Sequence, residues 1–578
     1  MRGFFSLEAA KEAIGVVKAV EETIREAETT AATAAPNVSL NHIPVESETL
    51  WHKIDHLLYL PIFNLTRPRD LYYYQGAGLR SLYGFTYKYL TIEHFLGQLT
   101  RLKVGYPLAD TLANVYAQSQ YPGSEPLVIF TDWHVKPHWT KEKSHSGHIT
   151  MWGRTMPGTK QLVINGVDGY LLGGWNYQVD THMTQVLVEL EKKLSHILHR
   201  PILCNIFDSE GGGRPIGEQY AAAGGHYLSI LSRQHSHALS SFIMEGRWQT
   251  VIDDADREAV YARWRNQDKV AADPRQFVLL RPIGHIEPTR IYTGCLPTDL
   301  LAAIVPWCHR QRWSKNEQCI RDLVKGANLN ENYGYTYDQA TNRTRQRQWE
   351  AAQAQVEVTE QKLSQSKEAV KNLRQKQQRA QETYDQRRLV LEKEIVQQRQ
   401  KIQRRQREGK VVTRLQQGSQ QRRSELARRT VSQQKRQYSL QQQIVTQQKY
   451  IVELQRQWAQ RVQKRETIDT ETLCRQRHLE KDQIMLNWQV LLTNSHDWVR
   501  QHVFAPAWQN LSLAKAKELV YRKSGHVRWH PDRIEIILDS YRYREHQQAM
   551  EVTCQRFNQA NLRWRDGRVL YMSVKKPP

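Results

Sequence analysis

Residues 343 to about 470 constrain the fold more than any other stretch. They are rich in Gln and Arg, nearly free of Gly and Pro, and place apolar residues seven apart. Val356, Leu363, Val370, Tyr384 and Leu391 keep one register, with Gln377 as a polar interruption. Ile395 and Ile402 continue it shifted by four, a stutter. After a break containing Gly409 and Gly418, Ile444, Ile451 and Trp458 resume the repeat. A seam of this period needs a second helix to cover it. The segment is therefore expected to form two long helices joined near 409–420, folding back as an antiparallel coiled coil. Pairing between subunits is the alternative.

Charge concentrates in the same stretch. From Arg343 to Glu466, 30 Lys and Arg stand against 12 Asp and Glu, so +18 of the net +23 falls there. Such a run is ordinarily a solvated helix face, yet an excess of this size also suits the DNA backbone. A pI of about 9.6 favours a polyanionic partner, either nucleic acid or an acidic membrane surface. No apolar run of about 18 residues occurs, so no transmembrane helix is expected. The opening "MRGFFSLEAAKEAIGVVKAVEETIREAE" reads as an amphipathic helix without the apolar block of a signal peptide. The six cysteines form no CxxC pair, which predicts reduced thiols in a cytoplasmic protein rather than a zinc ribbon.

Around the heptads the chain reads as four further regions. Residues 1–45 predict a helix and an Ala/Thr linker, "AETTAATAAPN". Residues 46–122 are helical with aromatic anchors. A turn at Gly105-Tyr106-Pro107 suits either a helix-turn-helix reader of DNA or a small packing bundle. Residues 123–340 alternate strands and helices, as in an α/β domain with a mixed sheet. They include the hairpin "KQLVINGVDGYLLGGW" and the amphipathic helix opened by Thr181. The last region, 471–578, is a small α/β piece in which two short strands flank a helix.

Two strands in the α/β region end in acid. "PLVIFTDWH" runs apolar into Asp132, and "PILCNIFDSE" does the same into Asp208, 76 residues later. A buried strand-end carboxylate costs desolvation unless neutralised, and adjacent strands would set the two side by side. A divalent cation is the usual way to keep both ionised. Glu317, 109 residues further on a basic helical segment, completes a triad of two Asp and one Glu for Mg²⁺ or Mn²⁺. Arg310, Arg312, Lys315, Arg321 and Lys325 surround it and are candidates to hold DNA phosphates. The glycines of "CNIFDSEGGGRP" lack the Gly-Lys-Ser/Thr closure of a phosphate loop, which removes the support for an ATP-driven coiled-coil protein.

Other candidates read more plainly. His134, His138, His145 and His148 match no common zinc spacing. His134 either touches a scissile phosphate or sits at the sheet edge. No G-x-S-x-G nucleophile signature is present. Trp264 in "VYARWRNQDK" suits packing or stacking on an unpaired base.

On these motifs the chain resembles the DDE transposases of bacterial insertion sequences. "FTDWHVKPHWTKEKSHSG", "IFDSEGGG" and "RWSKNEQCIRDLVKGANLNENYGY" are similar to the three acidic motifs of that family. "DLYYYQGAGLRSLYGFTYKYLTIEHFLGQL" is similar to the N-terminal region of one of its groups. Trp133 stands where Gly is usual and Ser209 where Arg is usual. One extra residue separates Trp313 from Glu317, with Glu331 the alternative glutamate. Glu210 matches the family's Glu and is read as supporting the loop or standing behind the metal-binding acids. The resemblance implies an RNase H-like mixed sheet with a β insertion, and a nucleoid-associated transposase acting as a homodimer. Its implied reaction is metal-dependent cleavage at terminal repeats of double-stranded DNA and strand transfer to target DNA. The alternative is a catalytically inactive, repurposed DNA-binding or architectural protein.

Overall fold

A computed structural model describes residues 5–34, 47–74, 79–80, 83–140, 144–149, 152–231, 239–265, 273–297, 299–470 and 473–577. The protein divides into two compact units, Met1–Gln339 with Arg475–Pro578, and Ala340–Cys474. Among the described residues no helix is long and apolar enough to cross a membrane. All six cysteines are free thiols.

In the first unit the N-terminal stretch forms α1 (Phe5–Ile14) and α2 (Val16–Ala34), parted by Gly15 at φ +86°. The expected linker is helical through Ala34, and its residues 35–37 lie outside the described residues. Next come α3 (Ser47–Leu58), α4 (Tyr89–Arg101) and α5 (Gly105–Gln120). The turn between α4 and α5 falls at Leu102–Val104, with Lys103 at φ +55°, and Gly105-Tyr106-Pro107 opens α5 itself. The helix is covered on two sides. Leu108, Leu112 and Tyr116 enter one core, and Ala109, Ala113 and Ala117 enter another against the sheet. Most of this helix is therefore packed, with Pro107, Gln118 and Ser119 exposed.

The sheet has eleven strands: β1 (Leu127–Pro137), β2 (Ser146–Ile149), β3 (Arg154–Gly166), β4 (Leu171–Gln178), β5 (Ile202–Phe207), β6 (Tyr227–Ile230), β7 (Phe242–Met244), β8 (Gln249–Val251), β9 (Asp254–Trp264), β10 (Gln276–Pro282) and β11 (Arg290–Cys295). They run in the order β2-β3-β1-β5-β6-β11-β10-β9-β7, with β4 on β3 and β8 on β9. Strand β1 is antiparallel to β3 on one side and parallel to β5 on the other, and β5 is parallel to β6. The sheet is therefore mixed. The β3–β4 hairpin turns at Gly169, φ +89°, where the Val-Asp-Gly signal stands. Helix α6 (Met183–Ile197) follows, capped by His182 rather than Thr181: the His182 amide donates to Gln185 Oε1 at 2.9 Å.

Between β5 and β6 lies α7 (Arg214–Ala223), and after β11 come α8 (Val305–Arg312) and α9 (Gln318–Gly326). In the second unit, α10 (Arg343–Arg407) and α11 (Thr413–Glu466) form an antiparallel pair. Cross-helix contacts fix the direction: Arg465 donates to Gln353, Gln377 to Gln441, and Tyr384 bonds Thr430, so rising positions on one helix meet falling ones on the other. Val356, Val370, Leu391, Ile395 and Ile444 of the heptad seam are buried. Gln377 belongs to a glutamine ladder with Gln437 and Gln441. The break is a short turn with Gly409 at φ +69°, whereas Gly418 lies inside α11.

The chain returns to the first unit in α12 (Glu480–His502), whose residues from Asp482 to His496 are all buried. A three-stranded sheet, Gly525–Trp529, Arg533–Leu538 and Val569–Val574, ends the chain around a helix at Arg544–Gln559. One hydrophobic core runs from Phe5 through α3, α5 and α12 to Met572, so the N-terminal, helical and C-terminal regions share one interior.

Candidate active site

The register of the parallel pair sets two of the three acids. Thr131 pairs with Phe207, so the next residues, Asp132 and Asp208, leave the paired region together on neighbouring strands. Strand β1 does not end at Asp132, as the charge after the apolar run had suggested. It continues to Pro137 against β3 alone. The polar residues that follow are buried and partnered: His134 bonds Asn330 at 2.7 Å, and Lys136 donates to Asp482 at 3.1 Å. Behind Asp208, Gly211 and Gly212 close a tight turn, where a Cβ would collide with the Phe207 ring and the Ile230 carbonyl.

The third acid comes from a π-helical turn, Trp313–Glu317, set between α8 and α9. A π turn inserts one residue into a helix and re-aims the side chains after it. Its anchor is Asn316, fully buried, whose Nδ2 donates to Asn165 Oδ1 at 2.8 Å and lies 3.3 Å from the Phe130 carbonyl. That ties the turn to β1 and β3 and holds the adjacent Glu317 toward the sheet.

Asp132, Asp208 and Glu317 meet at one cation. Arg312 donates from Nη1 to Asp132 Oδ2 at 2.7 Å and from Nη2 to Glu317 Oε1 at 2.7 Å, with Asp208 Oδ1 3.8 Å from the same nitrogen. Asp132 also accepts the Trp133 amide at 2.8 Å. One positive charge does not balance three carboxylates. Burial pushes the Asp132 carboxyl up to about 7, with Asp208 and Glu317 adding repulsion and Arg312 working against them. Burial likewise raises Glu317, again opposed by Arg312. The Arg312 Nε is buried without a partner, so the guanidinium is not fully satisfied where it lies. By chemistry, carboxylate oxygens are donors suited to a hard divalent cation, and here they are occupied by Arg312. Among the described residues no group of three His, Cys, Asp or Glu is arranged to hold a metal ion.

The basic candidates divide. Arg312 is turned inward, because three buried acids draw it there. Arg310 is bound to the β8–β9 turn through Asp253 and through Asp254 at 3.0 Å. Lys315 reaches the Asp168 carbonyl at 3.5 Å. Arg321 and Lys325 are exposed on α9, four and eight residues beyond Glu317. Glu331 lies apart, 3.5 Å from Arg67. Glu210 supports the loop, 3.3 Å from Lys160 and accepting the Met183 amide at 3.4 Å.

The four histidines scatter. His138 meets Arg477, His145 lies 3.4 Å from Asp180, and His148 is exposed. Burial holds His134 down at about 4, so it is a neutral partner of Asn330. Trp264 packs edge-on against Phe242 at 5.0 Å, and residues 266–269 of its stretch lie outside the described residues. Two residues near the acids carried no sequence signal. Asn316 is an ordinary helix residue until its burial is seen. His309, one turn before Arg312, is buried beside Asp208, which pulls its pKa upward while burial and Arg312 hold it near 4. No protein-family model matches the chain, and no curated protein matches it.

Proposed function

We propose that this chain is a DDE-type transposase that binds element-end DNA and catalyses metal-dependent strand cleavage and strand transfer. One observation carries the reading. Three carboxylates 76 and 109 residues apart, on β1, after β5 and on a helix, converge on one guanidinium. Clustered carboxylates, with raised pKa values at Asp132 and Glu317, are the kind of arrangement that functional sites build. The mixed sheet supports an RNase H-like fold, with β7–β11 as an insertion between the second Asp and the Glu. The π turn supports Glu317 as the third acid, since it absorbs the extra residue after Trp313.

Bound Mg²⁺ or Mn²⁺ would be held by Asp132, Asp208 and Glu317 and would supply an activated nucleophile and a neutralised leaving oxygen. The chain's own residues do the rest. Asn316 positions Glu317, and the glycine turn keeps the half-exposed Asp208 accessible. Arg312, once a metal held the acids, would be free to meet a DNA phosphate, as would the exposed Arg321 and Lys325. The need to join two element ends makes a homodimer the proposed active unit, and a cytoplasmic, nucleoid-associated location goes with that reading.

A second reading has its own observation. Arg312 fills the space between the carboxylates, as it would in a silent DNA-binding descendant. The test is cleavage of a labelled terminal-repeat duplex with Mg²⁺ or Mn²⁺. Cleavage abolished by Asp132→Asn and by Asp208→Asn supports the transposase. Cleavage that survives both changes removes the triad, and binding without cleavage by the unaltered protein favours the silent descendant.

A further inference from the structure

The second unit carries a feature that the acidic site does not use. Between α10 and α11 lies a groove of about 700 Å³. Lys376, Arg379, Arg387 and Arg388 line it from one helix, Arg429 and Arg436 from the other, and no acidic residue lines it. Arg388 is held by Glu392 at 2.8 Å and Arg429 by Glu425 at 2.9 Å. The other four pair with no carboxylate among the described residues. The floor is mixed: Leu391 and Ala380 are buried, and Tyr384 bonds Thr430 across the helices at 2.7 Å.

The register fixed by Gln377 with Gln441 and Tyr384 with Thr430 sets Arg436 level with Arg379, and Arg429 level with Arg387. The cations therefore form two tiers about 11 Å apart along the axis. At 65 residues α10 runs about 100 Å, close to three turns of B-DNA.

We infer that this groove is a docking surface for the phosphate backbone of duplex DNA, read without regard to sequence. Charge selects the occupant. Residues 343–466 hold +18 of the net +23, which leaves +5 for the rest of the chain. A second copy would bring the same +18 against the groove and be repelled. A vesicle surface would need a broad apolar face beside the cations, and here the apolar residues form only part of a narrow floor. The inference rests on the transposase reading only for the identity of the polyanion, and no carboxylate of the triad takes part.

The test uses the full chain and a labelled 40-bp duplex of arbitrary sequence in EDTA, read by anisotropy across a salt series. Lys376→Gln, Arg379→Gln, Arg387→Gln and Arg436→Gln together remove four cations and keep good helix formers. A control replaces Arg399, Lys401, Arg404 and Arg405 by Gln, four charges outside the groove lining. The groove variant is expected to lose at least about tenfold in affinity and to flatten the log–log salt slope by about 3 to 4. The control is expected to lose much less, with both variants equally helical by circular dichroism. Equal losses in the two variants would overturn the groove, as would unchanged binding or a poly-glutamate chain outcompeting the duplex. Cleavage is scored separately with metal. Intact cleavage with unchanged groove-variant binding fails this inference alone, while groove-dependent binding without cleavage fails the transposase reading alone.

Discussion

Arg312 donates to Asp132 at 2.7 Å across 180 residues of chain, and that one bond joins α8 to the centre of the sheet. The same guanidinium serves Glu317 and approaches Asp208, so it is the one cation that all three acids share. Arg312→Ala strips that charge from three acids at once. Removing one partner of a buried ion pair costs about 3–5 kcal/mol. Urea unfolding without metal is expected to show a loss of that order. Added MnCl2 should restore more stability to the variant than it adds to the parent, because the cation replaces the guanidinium. An undiminished variant with no enlarged metal shift would refute a shared carboxylate site.

Asn316→Ala removes the anchor of the π turn. The side chain is fully buried, and Asn165 Oδ1 and the Phe130 carbonyl lose their donor. Unsatisfied buried acceptors cost about 1–3 kcal/mol, so a destabilisation of about 2–3 kcal/mol is expected from chemical denaturation. Asn316→Asp should cost more, since it turns an acceptor toward acceptors. Equal stability of both variants and the parent would show that the turn does not depend on this residue.

The parts legible in the sequence were those with a period or an abrupt end. The heptads announced α10 and α11 because a seam seven residues apart has one economical burial. The apolar runs into Asp132 and Asp208 announced the acid pair because their register on parallel strands does the rest. What stayed hidden depended on partners far along the chain. Strand β1 continues past Asp132 because Lys136 finds Asp482, 346 residues away. Helix α12 shows no polar stripe, so no helix face could be assigned from the sequence. Its buried amides are satisfied by backbone instead: Gln483 donates to the Gly174 carbonyl at 2.8 Å and Asn494 to the Leu171 carbonyl at 2.9 Å. Arg312 looked like its basic neighbours, and only the three acids around it distinguish it.

Behind the site, Glu191 accepts hydrogen bonds from Tyr220 and Asn205, and Asn205 in turn accepts from Thr131 at 2.8 Å. Burial pushes the Glu191 carboxyl up to about 7, with the two hydrogen bonds opposing. The folded state thus holds this proton more tightly than the unfolded one. Stability falls as pH rises from about 4.5 to about 7 and is level above that. In Glu191→Gln both donors keep their acceptor oxygen and the ionisation is gone. The variant is expected to match the parent near pH 4 and to exceed it by about 3 kcal/mol at pH 8, measured by urea unfolding across pH. A pH profile unchanged by the substitution would exclude Glu191 as its source.

The two ends of the described chain meet in a buried ionic cluster. Lys11 reaches Asp55 at 2.5 Å and Glu8 at 2.9 Å, while Arg565 reaches Glu8 at 2.6 Å and Asp55 at 2.8 Å. Two acids face two bases, and the Tyr59 and Tyr83 hydroxyls donate to Glu8 and Asp55. Burial alone would raise the Asp55 carboxyl, but Lys11 and Arg565 outweigh it and hold the group below its ordinary range. A depressed carboxyl contributes stability above its unfolded pKa and loses it as pH falls through the folded value. Arg565→Met leaves Lys11 alone against two carboxylates, and a loss of about 3–5 kcal/mol is expected at neutral pH. Below about pH 4 the gap between variant and parent should narrow, because protonation of Asp55 removes charge that Arg565 answers. A neutral-pH loss that persists undiminished in acid would show that Arg565 acts by stacking its guanidinium on Trp564 and Trp51 rather than through its ion pairs.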